Sequence, residues 1–198
     1  MKTFNYLFKQ TIIIFIYLIV TMITALAITA IENLIWLKIV LWVLNAGLFG
    51  FIIFVMIMKT GEDGMKLKHS NDIKRRDVIR TGEYYDFNTA GEYGKWKGLY
   101  IGLIVSAPLI FLIVLEFILW LCGVTQTVTS AIAIIIYGTF CMPLRGLFGA
   151  TLSIYWFSYT AIVLCALTHI AYTVGVIKIQ KQYEKIQKTN EYIYGKRK

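Results

Sequence analysis

A chain of 198 residues that is 58% hydrophobic and only 16% charged, with a mean hydropathy of +0.67, does not have the composition of a soluble globular domain. Its net charge of +9 comes without a basic face on a recognisable nucleic-acid fold, so lipid headgroups account for the charge and nucleic acid is set aside as a partner. Two histidines, three cysteines without metal-ligand spacing, and no metalloprotease, nucleophile-elbow, P-loop or dinucleotide fingerprint point away from an enzyme, and no cofactor or metal is expected.

The first apolar run, about 10–31, follows Lys2 and Lys9 and is followed by a charge at Glu32. Thr11 to Ile31 holds no charged residue, which is too long for the apolar core of a signal peptide. A retained first span is expected, rather than cleavage after the small residues Ala25 and Ala27. Roughly 20 apolar helical residues cross a hydrocarbon core, and every backbone group there must be bonded internally, so this run and those after it read as helices. The second span, about 34–58, carries Lys38 at its start, Asn45 near its middle, and the small pair Ala46 and Gly50.

Segment 59–97 is a polar loop in which nine Lys and Arg are offset by seven acids. Ser70 or Asn71 is placed to cap a short helix through Arg80, with Gly82 as its left-handed stop. The following Tyr84, Tyr85, Phe87, Tyr93 and Trp96 read as anchors at a membrane interface.

The third span, about 98–122, opens on Gly94, Gly98, Gly102 and Ser106, four residues apart, a stripe that admits another helix closely. Ala46 and Gly50 are the expected partner surface, within the chain or in a second copy. Glu116 is the acid well inside a span.

Segment 127–149, with Pro143 and Arg145, is apolar on all faces and lacks the charged face of an interfacial helix. It is expected to enter and leave on one side as a re-entrant or half-membrane helix turning at Pro143 to Gly146, with a fifth full crossing as the alternative. The last span, about 151–177, includes His169. The tail, 178–198, continues as a basic helix, with an apolar seam at Tyr172, Val176, Ile179, Tyr183, Ile186, Asn190 and Ile193. That seam suits packing on the central loop or dimerisation.

Lys and Arg mark the cytoplasmic side. Four crossings place the first ten residues, the central loop and the tail together, which gathers 18 of the 20 basic residues. The chain therefore reads as an all-α integral membrane protein, one membrane domain over 1–198, in a bacterial-type plasma membrane with both termini cytoplasmic. Cys122, Cys141 and Cys165 are expected as free thiols, a Cys122–Cys141 bridge being the alternative.

Glu116, Arg145, His169 and Asn45 are the polar candidates inside the membrane, Glu116 and Arg145 as a pair. Poor in chemistry and rich in interaction surfaces, the sequence points to an accessory or scaffold subunit. Its expected partners are anionic headgroups and a membrane protein or a second copy. A small transporter or channel subunit is the alternative, carried by the re-entrant segment and by Glu116, Arg145 and His169.

Overall fold

The computed structural model describes residues 2–31, 35–82, 84, 85, 87, 89–123, 128–148 and 154–195, with the side chains of 144–148 and a few others left outside that set. The described elements are helices: α1 (Lys2–Thr29), α2 (Ile35–Thr81), α3 (Lys97–Leu121), α4 (Val128–Phe148), a short 3-10 helix (Ile154–Phe157) and α5 (Ser158–Gly195). Four stretches are long and apolar enough to cross a membrane: Asn5–Ile28, Ile35–Thr81, Lys97–Leu121 and Ile154–Asn190.

Side-chain contacts fix how the helices run. Trp42 Nε1 donates to the Ala25 carbonyl at 3.3 Å and Asn45 Nδ2 to the Thr21 carbonyl at 3.4 Å, so α1 and α2 are antiparallel. On α3 and α5, Ser106 lies by Ala161, Gly102 by Cys165 and Gly98 by His169, again antiparallel. By contrast α2 and α5 are parallel: Met58 backs on Gly175, Glu62 on Lys178 and His69 on Tyr183. The core between them is apolar, with Ile14, Ile53, Ile101, Leu109 and Leu164 fully enclosed.

One end of the bundle gathers the polar sequence. Tyr6 of α1 lies beside Lys97 of α3, and the last turns of α2 and α5 extend past both. The bundle's flanks are as apolar as its interior, since Trp36, Leu48, Phe51, Phe111 and Ile162 are all more than 60% exposed.

The central polar segment departs from expectation. Ser70 and Asn71 cap nothing: α2 runs unbroken from Ile35 to Thr81, and Asn71 is buried within it. Packing on α5 outweighs the capping preference of these two residues, a weak local term. The stop at Gly82 is as expected, with φ +76° and its N–H donating to the Val78 carbonyl at 2.8 Å.

Segment 127–149 also differs. No turn forms at Pro143 to Gly146, and α4 continues through Phe148; its backbone irregularity is at Tyr137, φ −116° and ψ 21°. Its start lies by α3's far end, where Thr129 donates to Glu116. By Phe140 and Cys141 it has reached Tyr159 and Thr160, at the head of α5. Since Ala161 is abreast of Ser106, α5 begins near the middle of α3 rather than at its end. Of the span expected over 151–177, Ile154–Phe157 form a 3-10 turn and the α-helix runs from Ser158; residues 151–153 lie outside the described set.

Both prolines sit inside helices, Pro108 in α3 and Pro143 in α4. A proline removes the hydrogen bond to the carbonyl four residues back and loosens the helix around it, and a neighbouring helix must satisfy the carbonyls it frees. Beside each freed carbonyl, a tyrosine of another helix bonds the carbonyl that follows it. Tyr137 Oη donates to the Val105 carbonyl at 2.5 Å, and Tyr159 Oη donates to the Phe140 carbonyl, three residues before Pro108 and Pro143 respectively.

All three cysteines are free thiols. A Cys122–Cys141 bridge does not form, because Cys122 is exposed at the far end of α3 while Cys141 is buried against Thr160.

Candidate functional site

Among the described residues, the polar candidates expected within the apolar runs do not converge. Glu116 accepts a hydrogen bond from Thr129 at the far end of α3; the side chain of Arg145, its expected partner, lies outside the described residues. Asn45 joins α2 to α1, accepting from Thr24 Oγ1 at 3.0 Å. His169 sits near the polar end, stacked on Trp96 with ring centroids 6.0 Å apart, its Nδ1 buried without a hydrogen bond among the described residues. These are three separate helix contacts along the bundle. No group of three or more His, Cys, Asp or Glu is placed to hold a metal among the described residues.

The small-residue stripe meets α5, not the expected Ala46 and Gly50. A Cβ on Gly98 would lie 2.6 Å from Tyr172 Cβ, and one on Gly102 would lie 2.5 Å from Thr168 Oγ1 and 2.6 Å from Cys165 Cα. Ser106 Oγ reaches the Ala161 carbonyl at 3.5 Å. Gly94 instead abuts the side chain of Lys97, and Gly50 has only Leu167 near it, at 4.0 Å.

A second close contact went unread in the sequence. A Cβ on Gly175 would collide with the Met58 carbonyl, and one on Gly61 with the Tyr172 carbonyl. Here α2 and α5 touch backbone to backbone, two isolated glycines with no stripe to signal them. That contact is the root of a two-helix stalk.

Beyond it both helices continue together. Lys178 Nζ bonds Glu62 Oε1 at 2.7 Å, and His69 stacks on Tyr183 with ring centroids 4.0 Å apart. The α5 seam is sealed at Tyr172, Val176 and Ile179 and partly covered at Tyr183. Ile186 and Asn190 are exposed, and Ile193 lies outside the described side chains. The tail thus packs on the extension of α2 and then runs past its cover.

Loop 84–96 braces the stalk where it leaves the bundle. Tyr93 N–H donates to the Gly64 carbonyl at 2.9 Å, and the Tyr93 ring stacks on Tyr172. Arg75 grips both carboxylate oxygens of Glu92 at 3.2 Å, bonds Asp72 at 2.9 Å and covers the Phe87 ring. The hydrogen bonds that Arg75 donates to Glu92 raise the guanidinium's pKa further above its ordinary value. Of the aromatic residues read as interface anchors, Phe87, Tyr93 and Trp96 therefore make contacts within the protein, while Tyr84 is exposed.

Lys97 belongs to this brace rather than to the basic surface. It is only 9% exposed; its ammonium donates to the carbonyls of Ala90, at 2.8 Å, and Glu92, and faces the Tyr6 ring at 5.5 Å. Two carbonyls and an aromatic face replace much of its hydration. Lys74, Arg76, Arg80, Lys181, Lys185 and Lys188 differ: no carboxylate lies within 4 Å of them among the described residues. The stalk accordingly presents unneutralised positive charge to solvent along both helices.

No protein-family model, curated protein or solved structure matches this chain.

Proposed function

We propose that this is a non-enzymatic, multi-pass protein of a bacterial-type plasma membrane, an accessory or scaffold subunit whose basic stalk receives a partner on the cytoplasmic side. The observation that carries the reading is the continuation of α2 and α5, as one braced parallel pair, out of the apolar bundle. The exposed apolar flanks favour lipid as their solvent, being far beyond what a soluble surface tolerates. The gathering of basic residues at one end favours that end, and with it both termini, as cytoplasmic. On this reading α4 and α5 share the fourth crossing, α4 in the outer half and α5 in the inner.

Anionic headgroups suit the base of the stalk, at Lys59 and Lys178. They do not suit its tip: at a rise of about 1.5 Å per residue Arg80 lies about 30 Å beyond Lys59, several screening lengths from the headgroups. Charge held that far out is better matched to a macromolecular partner. Photo-crosslinking residues placed at Asp77 and Lys188 in cells, with one at Phe111 on the apolar flank as control, test this. Protein adducts from the two stalk positions are expected, and their absence would overturn the reading.

A second reading, a small transporter or channel subunit, is favoured by the irregular backbone at Tyr137 within α4 and the 3-10 turn Ile154–Phe157 at the head of α5, since irregular helices build transport sites. Substrate or proton movement across liposomes containing the pure protein would establish it.

A further inference from the structure

We propose that the outward flank of the α1 and α2 pair, headed by Lys9 and Lys59, binds an anionic phospholipid, its phosphate held between the two ammonium groups and an acyl chain laid along the apolar walls below. The inference rests on the reading that the apolar flanks face lipid.

The apolar stretches of the helices end at one height. Thr60 Oγ1 of α2 donates to Gln10 Oε1 of α1 at 3.5 Å, Met58 backs on Gly175, and a Cβ on Gly61 or Gly98 would collide with Tyr172. Lys9, Lys59, Lys97 and Lys178, each the first charge beyond its apolar stretch, therefore stand at one level, the level of the headgroups. Two of the four are already engaged, Lys97 by the loop carbonyls and Lys178 by Glu62. Lys9 and Lys59 are exposed, with no carboxylate within 4 Å among the described residues; Asp63, one turn past Lys59, lies against Lys66 at 3.9 Å.

Helix geometry brings these two lysines to the same side. Gln10 and Thr60 face each other across an antiparallel pair, and each residue turns a helix by about 100°. One step back along α1 and one step back along α2 therefore rotate both side chains onto the same flank, with Lys9 and Lys59 astride the Gln10 and Thr60 contact. Their long, flexible stems let both ammonium groups close on one phosphate. Below them the flank is apolar and open: Ile16 on α1 is 56% exposed and Val55 on α2 is 40% exposed. Two apolar walls that end in two unneutralised cations match an amphiphile with an anionic head. A soluble phosphate compound would leave the walls unused, and an apolar helix of another protein would leave the cations unmet.

Native mass spectrometry of the full chain in mild detergent tests the proposal, with phosphatidylglycerol and phosphatidylcholine of identical acyl chains as probes. The anionic lipid should bind about tenfold more tightly than the zwitterionic one, and Lys9→Gln and Lys59→Gln should each remove most of that preference. The double variant should lose little more than either single one, because both lysines hold one phosphate. Lys9→Arg with Lys59→Arg should keep the preference, and Lys188→Gln, far out on the stalk, should leave it unchanged. Equal binding of the two lipids, losses that simply multiply in the double variant, or a loss in Lys188→Gln as large as in Lys9→Gln would overturn the proposal. So would displacement of the lipid by glycerol phosphate, the mark of a soluble ligand, or a dimer free of lipid, the mark of a second copy on this flank. A chain that stays monodisperse after the detergent is removed would sink the lipid-facing reading itself. Crosslinks at positions 77 and 188 in cells without any lipid preference would remove this site alone and leave the accessory reading standing.

Discussion

The hydroxyl of Tyr137 on α4 donates to the carbonyl of Val105 on α3 at 2.5 Å, one residue beyond the carbonyl that Pro108 deprives of its N–H partner. Tyr159 does the same for Phe140 ahead of Pro143, so each proline-loosened helix is held by a tyrosine of the helix that follows it. The hydroxyl adds a buried hydrogen bond to a helix weakened one residue earlier, and such a bond contributes about 0.5–1.5 kcal/mol. Tyr137→Phe should therefore lower stability by about that amount, read as thermal unfolding in detergent. The loss should shrink in a Pro108→Ala background, where the helix closes its own hydrogen bonds. An equal loss in both backgrounds would separate the tyrosine from the proline.

Close packing of α3 and α5 makes a second prediction. Gly102→Leu and Gly98→Leu must push a side chain into Cys165, Thr168 or Tyr172, and overpacking of this kind costs about 1–3 kcal/mol or more. Gly175→Ala should be comparably damaging, because even a methyl group there meets the Met58 carbonyl. Gly50→Ala, with Leu167 at 4.0 Å, and the half-exposed Leu103→Ala should leave the melting temperature nearly unchanged. Equal melting temperatures for Gly102→Leu and the parent would rule out the contact.

Lys97 holds the loop by charge-assisted bonds to two carbonyls, each worth roughly 1.5–3 kcal/mol. Lys97→Met should free the loop, and limited proteolysis should then cut faster near Tyr84 and Tyr85. Lys97→Arg should not rescue it, since a planar guanidinium does not fit a site built around a compact ammonium. Unchanged proteolysis of Lys97→Met would show that Arg75 and Glu92 suffice.

The proposed orientation is testable with a thiol already present. Cys122 is exposed at the end of α3 opposite the stalk, so a membrane-impermeant maleimide added to intact cells should label it. Asp77→Cys and Lys188→Cys, in a Cys122→Ser background, should react only after the cells are opened. Labelling of the stalk positions from outside would invert the orientation, and labelling of one alone would show that α2 and α5 end on different sides.

Composition and hydrophobic run length, read without any structure, were enough to specify a helical chain with stretches able to cross a membrane, because an apolar environment leaves the backbone little else to form. The left-handed stop at Gly82 was legible for a similarly local reason.

Pairings were a different matter. The stripe at Gly98, Gly102 and Ser106 announces a close neighbour but not its identity, and only the packed bundle decides for Cys165, Thr168 and Tyr172 over Ala46 and Gly50. The reach of α2 to Thr81 was hidden because Ser70 and Asn71 favour a cap locally, while the stabilising contacts of that stretch lie more than a hundred residues away on α5. Lys97 reads as one more surface cation until the fold closes Ala90, Glu92 and Tyr6 around it. Pro143 suggests a turn, yet the helix continues through it, held alongside by the hydroxyl of Tyr159 on the Phe140 carbonyl. Each of these outcomes depends on which distant group arrives to satisfy a polar atom or fill a gap, and that is settled by tertiary packing rather than by any local preference of the chain.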